Sequence, residues 1–489
     1  MRTTIAVLNK EGKSALSTII EALENTQVEQ SMNFTVASSE KIVSHKNLDT
    51  LNRQGINSSV VIGCSFTDAA NKDYGSLQLD NVVAVFEGTT YMSSVTKEIH
   101  TRKPTKKLPH NEAQLQTFIE KIEGDYSAFI LKDEELIVGR DPIGAQPLYY
   151  GENKELTAFA SSRKALWQLG ISKTLSFPPG NLCSLTKSGL QFKPIKTFTY
   201  TESVQISMDD AAVKLQKFLE QSIEARIAGL KEVAVAFSGG LDSSLIAYIA
   251  NKCGVKVDLI HVSLENELET ETAFDASKKL DLPIQVHLFK ESDVEKTLPK
   301  IVDLIEEINP VKTAIGVPIY WTAQKTREAG HTVLLAGQGA DELFGGYQRY
   351  VNEYCNYGNE KVQQTMFNDV INIHENNLER DKKICRTLDV ELRLPFISFD
   401  LIEFALSLPV NLKFEQKQDS LRKIVLRKVA SNLGLPVSIV DKPKKAVQYS
   451  TGINSAIKCI AQKNDQTVNE YITNLSQKSL KNYTNIAFF

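Results

Sequence analysis

The chain has 489 residues, more than one hydrophobic core usually organises, so two domains of ordinary size are expected. Its composition, 42% hydrophobic and 24% charged, is that of a globular protein and does not suggest disorder. A formal net charge of -3 gives no general electrostatic reason to bind nucleic acid or an anionic membrane surface, so neither is expected as a partner.

Six cysteines, at 64, 183, 253, 355, 385 and 459, form no CxxC pair and no metal-finger spacing, so they read as buried free thiols. The start, MRTTIAVLNKEGKS, has too short an apolar run for a signal peptide. No stretch reaches the roughly 18 apolar residues of a membrane span, and a cytoplasmic location is expected.

Along residues 1–200 short strand-like pieces alternate with turn signals: TTIAVLN, SSVVIGCSF, NVVAVFEGTTYM, YSAFILKD, ELIVGRD and PLYYG. A helix is expected near Ser14 to Glu24, and the Pro178-Pro179 and Gly180-Asn181 pairs mark turns. From Met208 the texture changes. Ala212, Leu215, Leu219 and Ile223 recur at helical spacing, and VAVAF, VDLIHVSL, IQVHLF and TVLLAG follow as strands separated by helical patterns. That alternation predicts a parallel sheet with crossover helices, an α/β domain over 208–489 after a β-rich α+β domain over 1–200, with the boundary between 195 and 208. The part beyond 351 reads as mainly helical.

The strongest chemical signal is VAVAFSGGLDSSLIAYIA, Val233 to Ala250. A strand through Ala236 and Phe237 runs into a turn, and a helix follows near Ser243 with Leu241, Leu245 and Tyr248 on one face. Gly239 and Gly240 let the backbone approach a bound group, and a helix amino terminus points free N–H groups at an anion. Phosphate is the expected guest, with Ser238, Ser243 and Ser244 adding hydroxyl donors. Asp242 would repel it unless a divalent cation lay between, which makes Asp242 a magnesium ligand. The turn lacks the lysine of a GxxxxGK[ST] loop.

A second cluster, HTVLLAGQGADELFGGYQRY from His331 to Tyr350, also ends a strand in a glycine-rich acidic turn. Ligands of open parallel sheets bind beyond the carboxyl ends of strands, so the two turns are expected to face one pocket, with Asp341 sharing the metal.

At SGGLDSS, GQGADELFGGY, VELRLPFISFDLIEFALSLP and KPKKAVQYSTG the chain resembles the asparagine synthetase family. The resemblance implies an ATP pyrophosphatase-type synthetase domain with a helical carboxyl-terminal part, acting with ATP and Mg2+. It implies pyrophosphate binding at Ser238 to Ser244, adenosine binding near Val262, Ala336 and Gly337, and a catalytic lysine at Lys444. An ammonium there would offset charge on the phosphates as a carboxylate attacks. Lys442 and Lys445 keep the plainer reading of solvated charges. The family's turn has Glu where this chain has Gln338, which cannot act as a general base but can orient an amine. Glu342 or the released pyrophosphate are then the expected proton acceptors.

The amino-terminal half resembles the family's glutaminase domain, an Ntn-hydrolase-like β-sandwich with flanking helices, in GDYSAFILKDEELIVGRDPIGAQPLYYG, FASSRKALWQLG and FPPG. The family's glutaminases expose a cysteine at residue 2, and this chain has Arg2, which supplies no thiolate. FEGTTYM, Phe86 to Met92, replaces the family's NGEIYN pattern, and Cys64 reads as core. The expectation is asparagine formation from aspartate, or a similar carboxylate, with ammonia that is free or delivered by a separate amidase. A homodimer is left open. Two alternatives stand beside it: a β-lactam synthetase-like cyclase, and a non-catalytic regulatory relative. A tRNA-modifying relative of the same loop family is also left open, although this chain has no basic bias, no CxxC pair and no evident RNA-binding appendage.

Overall fold

The computed structural model describes residues 2–24, 32–67, 74–91, 108–265, 267–415, 421–443 and 451–480. Lys444, Lys445 and Met92 lie outside them. Two compact units divide the chain between Thr197 and Phe198. No described helix is long and apolar enough to cross a membrane.

The first unit is built on β1 (Arg2–Asn9), β2 (Met32–Ala37), β3 (Ile42–His45), β4 (Val60–Thr67), β5 (Tyr74–Leu79), β6 (Val82–Tyr91) and β7 (Glu123–Lys132). It continues with β8 (Glu135–Arg140), β9 (Tyr149–Glu152), β10 (Leu156–Ala160), β11 (Leu175–Ser176), β12 (Asn181–Thr186) and β13 (Gly189–Pro194). They form one sheet in the order β11-β9-β10-β1-β4-β2-β3 and another in the order β13-β12-β8-β7-β6-β5. Both are antiparallel throughout.

Strand alternation explains the layering. In β1, Ala6 and Leu8 join Val60, Ile62 and Cys64 of β4 and Val83, Val85, Phe129 and Leu131 of the second sheet in one inter-sheet core. The opposite parity, Ile5 and Val7, packs instead on Ile19 and Leu23 of the helix Leu16–Glu24. On the outer face of the second sheet, Leu115 and Ile119 of the helix Glu112–Lys121 cover Ala128 and Ile130. The result is a sandwich with helices on both outer faces. Cys64 is core, 1% exposed. The uniform expectation for the cysteines fails, however: all six are free, but Cys253, Cys355 and Cys459 are exposed because they sit at a helix end or on outward helix faces.

The turn GRDPIGAQP closes on a buried ionic knot. Arg140, fully buried, donates from Nε to Gln146 O at 2.7 Å, from Nη2 to Gly144 O at 2.7 Å and from Nη1 to Phe177 O at 2.6 Å. Asp141 accepts from the N–H groups of Ile143, Ala145 and Gln146 at 3.0 to 3.1 Å. Burial pushes its carboxyl up to about 6, against the pull of Arg140.

The second unit contains a parallel sheet of β14 (Glu232–Ala236), β15 (Lys256–Leu264), β16 (Ile284–Phe289), β17 (Val333–Leu335) and β18 (Glu391–Arg393), in the order β16-β15-β14-β17-β18. The chain steps outward from β14 to β16 and then returns to the other flank of β14. The strand order therefore reverses beside β14, and the crevice of such a sheet lies at the carboxyl end of that reversal.

Helices fill in the expected places. Met208–Ile227 is capped by Ser207, which accepts from Asp210 N, and buries Leu215, Leu219 and Ile223. Glu291–Ile305 and Pro310–Glu328 share a core through Leu298, Ile301, Val317 and Trp321, whose ring stacks on Phe289 at 4.0 Å. Beyond 351 the unit is mainly helical.

Replacing Arg140 by Leu strands several buried carbonyl oxygens, and loss of such a buried ion should cost about 3–5 kcal/mol. Hydrogen exchange of the full chain should show faster exchange in the β7 and β8 amides, with the second unit's strands unchanged.

Candidate active site

β14 is buried at Val233, Ala234 and Val235, so the turn after it is delivered from a rigid strand. Gly239 takes φ +66°, and a Cβ there would lie 2.7 Å from Ala273 Cα, so only glycine fits the turn. Gly240 caps the helix Leu241–Lys252 without a side chain, which leaves the first-turn N–H groups to a ligand. Ser238 Oγ and Ser243 Oγ lie 3.4 Å apart across the turn.

The second turn leaves β17 at Leu335. Ala336 N donates to Arg393 O of β18 at 3.2 Å, and Gly339 at φ +92° starts the short helix Ala340–Phe344. The two turns touch: a Cβ on Gly337 would lie 3.1 Å from Asp242 Cβ.

A cavity of about 270 Å³ opens where they meet. Its wall includes Ala236, Phe237, Ser238, Asp242 and Ser243 from the first turn, Val262 from β15, and Ala336, Gly337, Gln338 and Asp341 from the second. These were singled out from sequence as nucleotide, metal or amine residues, and one cavity holds them. Gly239 and Gly240 shape the turn without lining the cavity. Ser244, expected to donate beside Ser243, is instead fully buried and off the cavity, because one helical step turns it away from its neighbour.

Asp242 and Asp341 converge on one cation. Lys423 Nζ lies 2.6 Å from Asp242 Oδ2 and 2.7 Å from Asp341 Oδ1, and its side chain is 3% exposed. Lys423 adopts a left-handed conformation, φ 61°, at the start of the helix Ile424–Asn432, a costly geometry held in place by its two partners. Gly346 leaves the room: a Cβ there would collide with Asp341 Oδ1 and come within 2.6 Å of Lys423 Cε. Nothing in DSLRKIVLRK marked this lysine, which reads there as one charge in a basic run.

The donor set fits a hard divalent cation. Both carboxylates reach a shared positive centre, and Asp242 Oδ1 is buried without a hydrogen-bond partner among the described residues. Lys442, expected to be a solvated charge, corrects that expectation: its ammonium lies 3.3 Å from Gly239 O and 3.5 Å from Ser238 O, against the phosphate-type turn.

A further stretch of wall was not legible in sequence. A π-helical turn, His374–Leu378, brings Asn377 and Arg380 to the cavity. Asn377 Nδ2 and Tyr347 Oη both donate to Glu342 Oε1 at 2.7 Å. Burial, then the charge of Asp341, raises the Glu342 carboxyl. Gln338 Nε2 donates to Asp381 Oδ2 at 2.9 Å, and Arg380 Nε donates to Asp381 Oδ1 at 2.7 Å. His261 also lines the cavity, with Nδ1 2.8 Å from Phe237 O, and burial lowers its pKa.

The family model described as asparagine synthase matches residues 214–359 and 353–479, more than half of the chain. The chain belongs to the asparagine synthetase family. A glutamine amidotransferase domain model matches residues 82–168. A Methanocaldococcus jannaschii protein, provisionally named a glutamine-hydrolyzing asparagine synthetase, is 32% identical over 415 residues, 75% of this chain and 76% of its own. Glutamine-hydrolyzing asparagine synthetases of Asparagus officinalis and Pisum sativum root are 26% and 25% identical over 69% of this chain. The matched region spans 59% and 60% of those two plant proteins. The family is one of carbon–nitrogen ligases.

Lys423→Met leaves two facing carboxylates without their counter-ion, a loss of about 3–5 kcal/mol. The melting temperature should fall, and millimolar Mg2+ should recover more of it in this variant than in the parent.

Proposed function

We propose that this chain joins a carboxylate to an amine at the expense of ATP, with aspartate and ammonia as the substrates and asparagine, AMP and pyrophosphate as products. The observation that carries the reading is that Asp242 and Asp341, from two touching glycine turns, line a single cavity and converge on one positive centre.

In this reading Ser238, Ser243 and the amino terminus of the helix Leu241–Lys252 hold the phosphates, with Lys442 and Lys423 adding positive charge beside them. Val262, Ala336 and Gly337 lie along the nucleoside. Magnesium held by Asp242 and Asp341 would neutralise phosphate charge. A carboxylate oxygen of aspartate attacks the α-phosphorus and the bond to pyrophosphate breaks. Lys444, by family resemblance, offsets the charge gathering on the leaving group. Ammonia then attacks the acyl carbon, and AMP departs with the bonding electrons. Gln338 orients the amine, and the proton passes to Glu342 or pyrophosphate.

Arg2 opens β1 where the family's glutaminases carry their nucleophile, so the nitrogen is free ammonia or comes from a separate amidase. A second reading, ring closure by an amine of the activated substrate itself, draws on Gln338, an amide where the family resemblance places a carboxylate, held by the buried Asp381.

The purified chain should exchange labelled pyrophosphate into ATP when given aspartate and Mg2+. Asp341→Asn should lower that exchange by a factor of about 100 or more, as expected when charge stabilisation at the phosphates is lost. Labelled ammonium, and not the amide of labelled glutamine, should appear in the product; efficient transfer from glutamine would refute the ammonia assignment.

A further inference from the structure

Gln338 is the unusual residue of this cavity, and its partner lies outside the wall. Gln338 stands where the family resemblance places a glutamate, and its amide is already committed on one side, Nε2 donating to Asp381 Oδ2 at 2.9 Å. Asp381 is fully buried and does not line the cavity. Its other oxygen accepts from Arg380 Nε at 2.7 Å. Burial raises the Asp381 carboxyl, against the pull of Arg380 and Gln338, and with an N–H donor on each oxygen it acts here as an acceptor.

An amide side chain has two ends of similar shape and opposite hydrogen-bonding character. A carboxylate that only accepts selects the NH2 end. The carbonyl Oε1 of Gln338 is thereby the end left for other partners, on a residue that lines the cavity. We propose that Asp381 is a positioning residue for amine transfer: it holds Gln338 so that Oε1 meets the N–H groups of the incoming amine.

This rests on the amide-forming reading above and adds to it the way amine recognition survives the loss of the glutamate. A carbonyl oxygen accepts from ammonia and aims its lone pair at the acyl carbon, and it strengthens its hold as the nitrogen gains positive charge. It does not need to take the proton. The simpler account, that Asp381 only neutralises Arg380, makes no use of the bond to Gln338 and gives no reason for the amine step to depend on it.

The isosteric variant Asp381→Asn separates the two. The introduced amide can keep its oxygen on Arg380 Nε and turn its NH2 toward Gln338, which then reverses and offers an NH2 donor to the cavity. The KM for ammonium should rise about tenfold, the usual scale for one lost hydrogen bond. Aspartate-dependent exchange of pyrophosphate into ATP, which requires no amine, should stay within about twofold.

Gln338→Glu alone sets two carboxylates against each other and should lower amide formation. Combined with Asp381→Asn, it again presents an acceptor oxygen, now held by the introduced amide. The double variant should use ammonium better than Asp381→Asn does, although a merely structural role predicts the opposite. An unchanged KM for ammonium in Asp381→Asn, or a parallel fall in exchange, would overturn the assignment of Asp381 while leaving ligase activity standing. Absence of aspartate-dependent exchange in the parent chain would overturn both.

Discussion

The ammonium of Lys423, shared between Asp242 and Asp341, is the contact on which the second unit's cavity depends. Two aspartates brought together with little access to water would repel each other by several kcal/mol at low effective dielectric. They belong to different turns, so that repulsion would drive the turns apart. The buried lysine converts it into attraction and fixes the distance between the loops. The surrounding peculiarities then make sense together. Lys423 is left-handed, Gly346 has no Cβ, and Gly337 packs on Asp242, because each makes room for one compact charge cluster. A buried ion triad of this kind is weak evidence for stability and better evidence for a site that must hold a charge in one place.

The two units make opposite use of buried charge. In the first, Arg140 and Asp141 bond mainly to backbone groups of a turn and of Phe177, with Arg140 also donating to Ser176 Oγ, and the product is rigidity. In the second, Lys423, Arg380 and Asp381 are paired with neighbouring side chains, and of this cluster Asp242, Asp341, Gln338 and Arg380 line the cavity. The first unit retains its inter-sheet core and its helical outer layers with arginine at residue 2. Its fold is held by apolar packing between its sheets and against their helices.

Legibility followed periodicity and glycine. β14, β15, β16 and β17 stood out as short apolar runs bounded by turns, and Met208–Ile227 as a helical stripe ended by polar residues. β18 escaped because three residues carry no period, and β13 because Gln191, Lys193 and their neighbours lie exposed at a sheet edge. The six cysteines misled through composition. Absence of a pairing pattern says that thiols are free, and it says nothing of which helix face each occupies.

The sequence by itself determined the chemistry of the two turns. SGGLDSS and GQGADELFGG carry their glycines and acids within a few residues, and short-range backbone geometry is a local property. Tertiary structure alone decided which distant side chains complete the site. Lys423 lies 181 residues from Asp242, and Asp381 lies 43 from Gln338. Such pairs obey no spacing rule, since their approach is set by strand order and by a single π-helical turn. A lysine or an aspartate reads alike in sequence whether it meets water or another charge, and only burial separates the two.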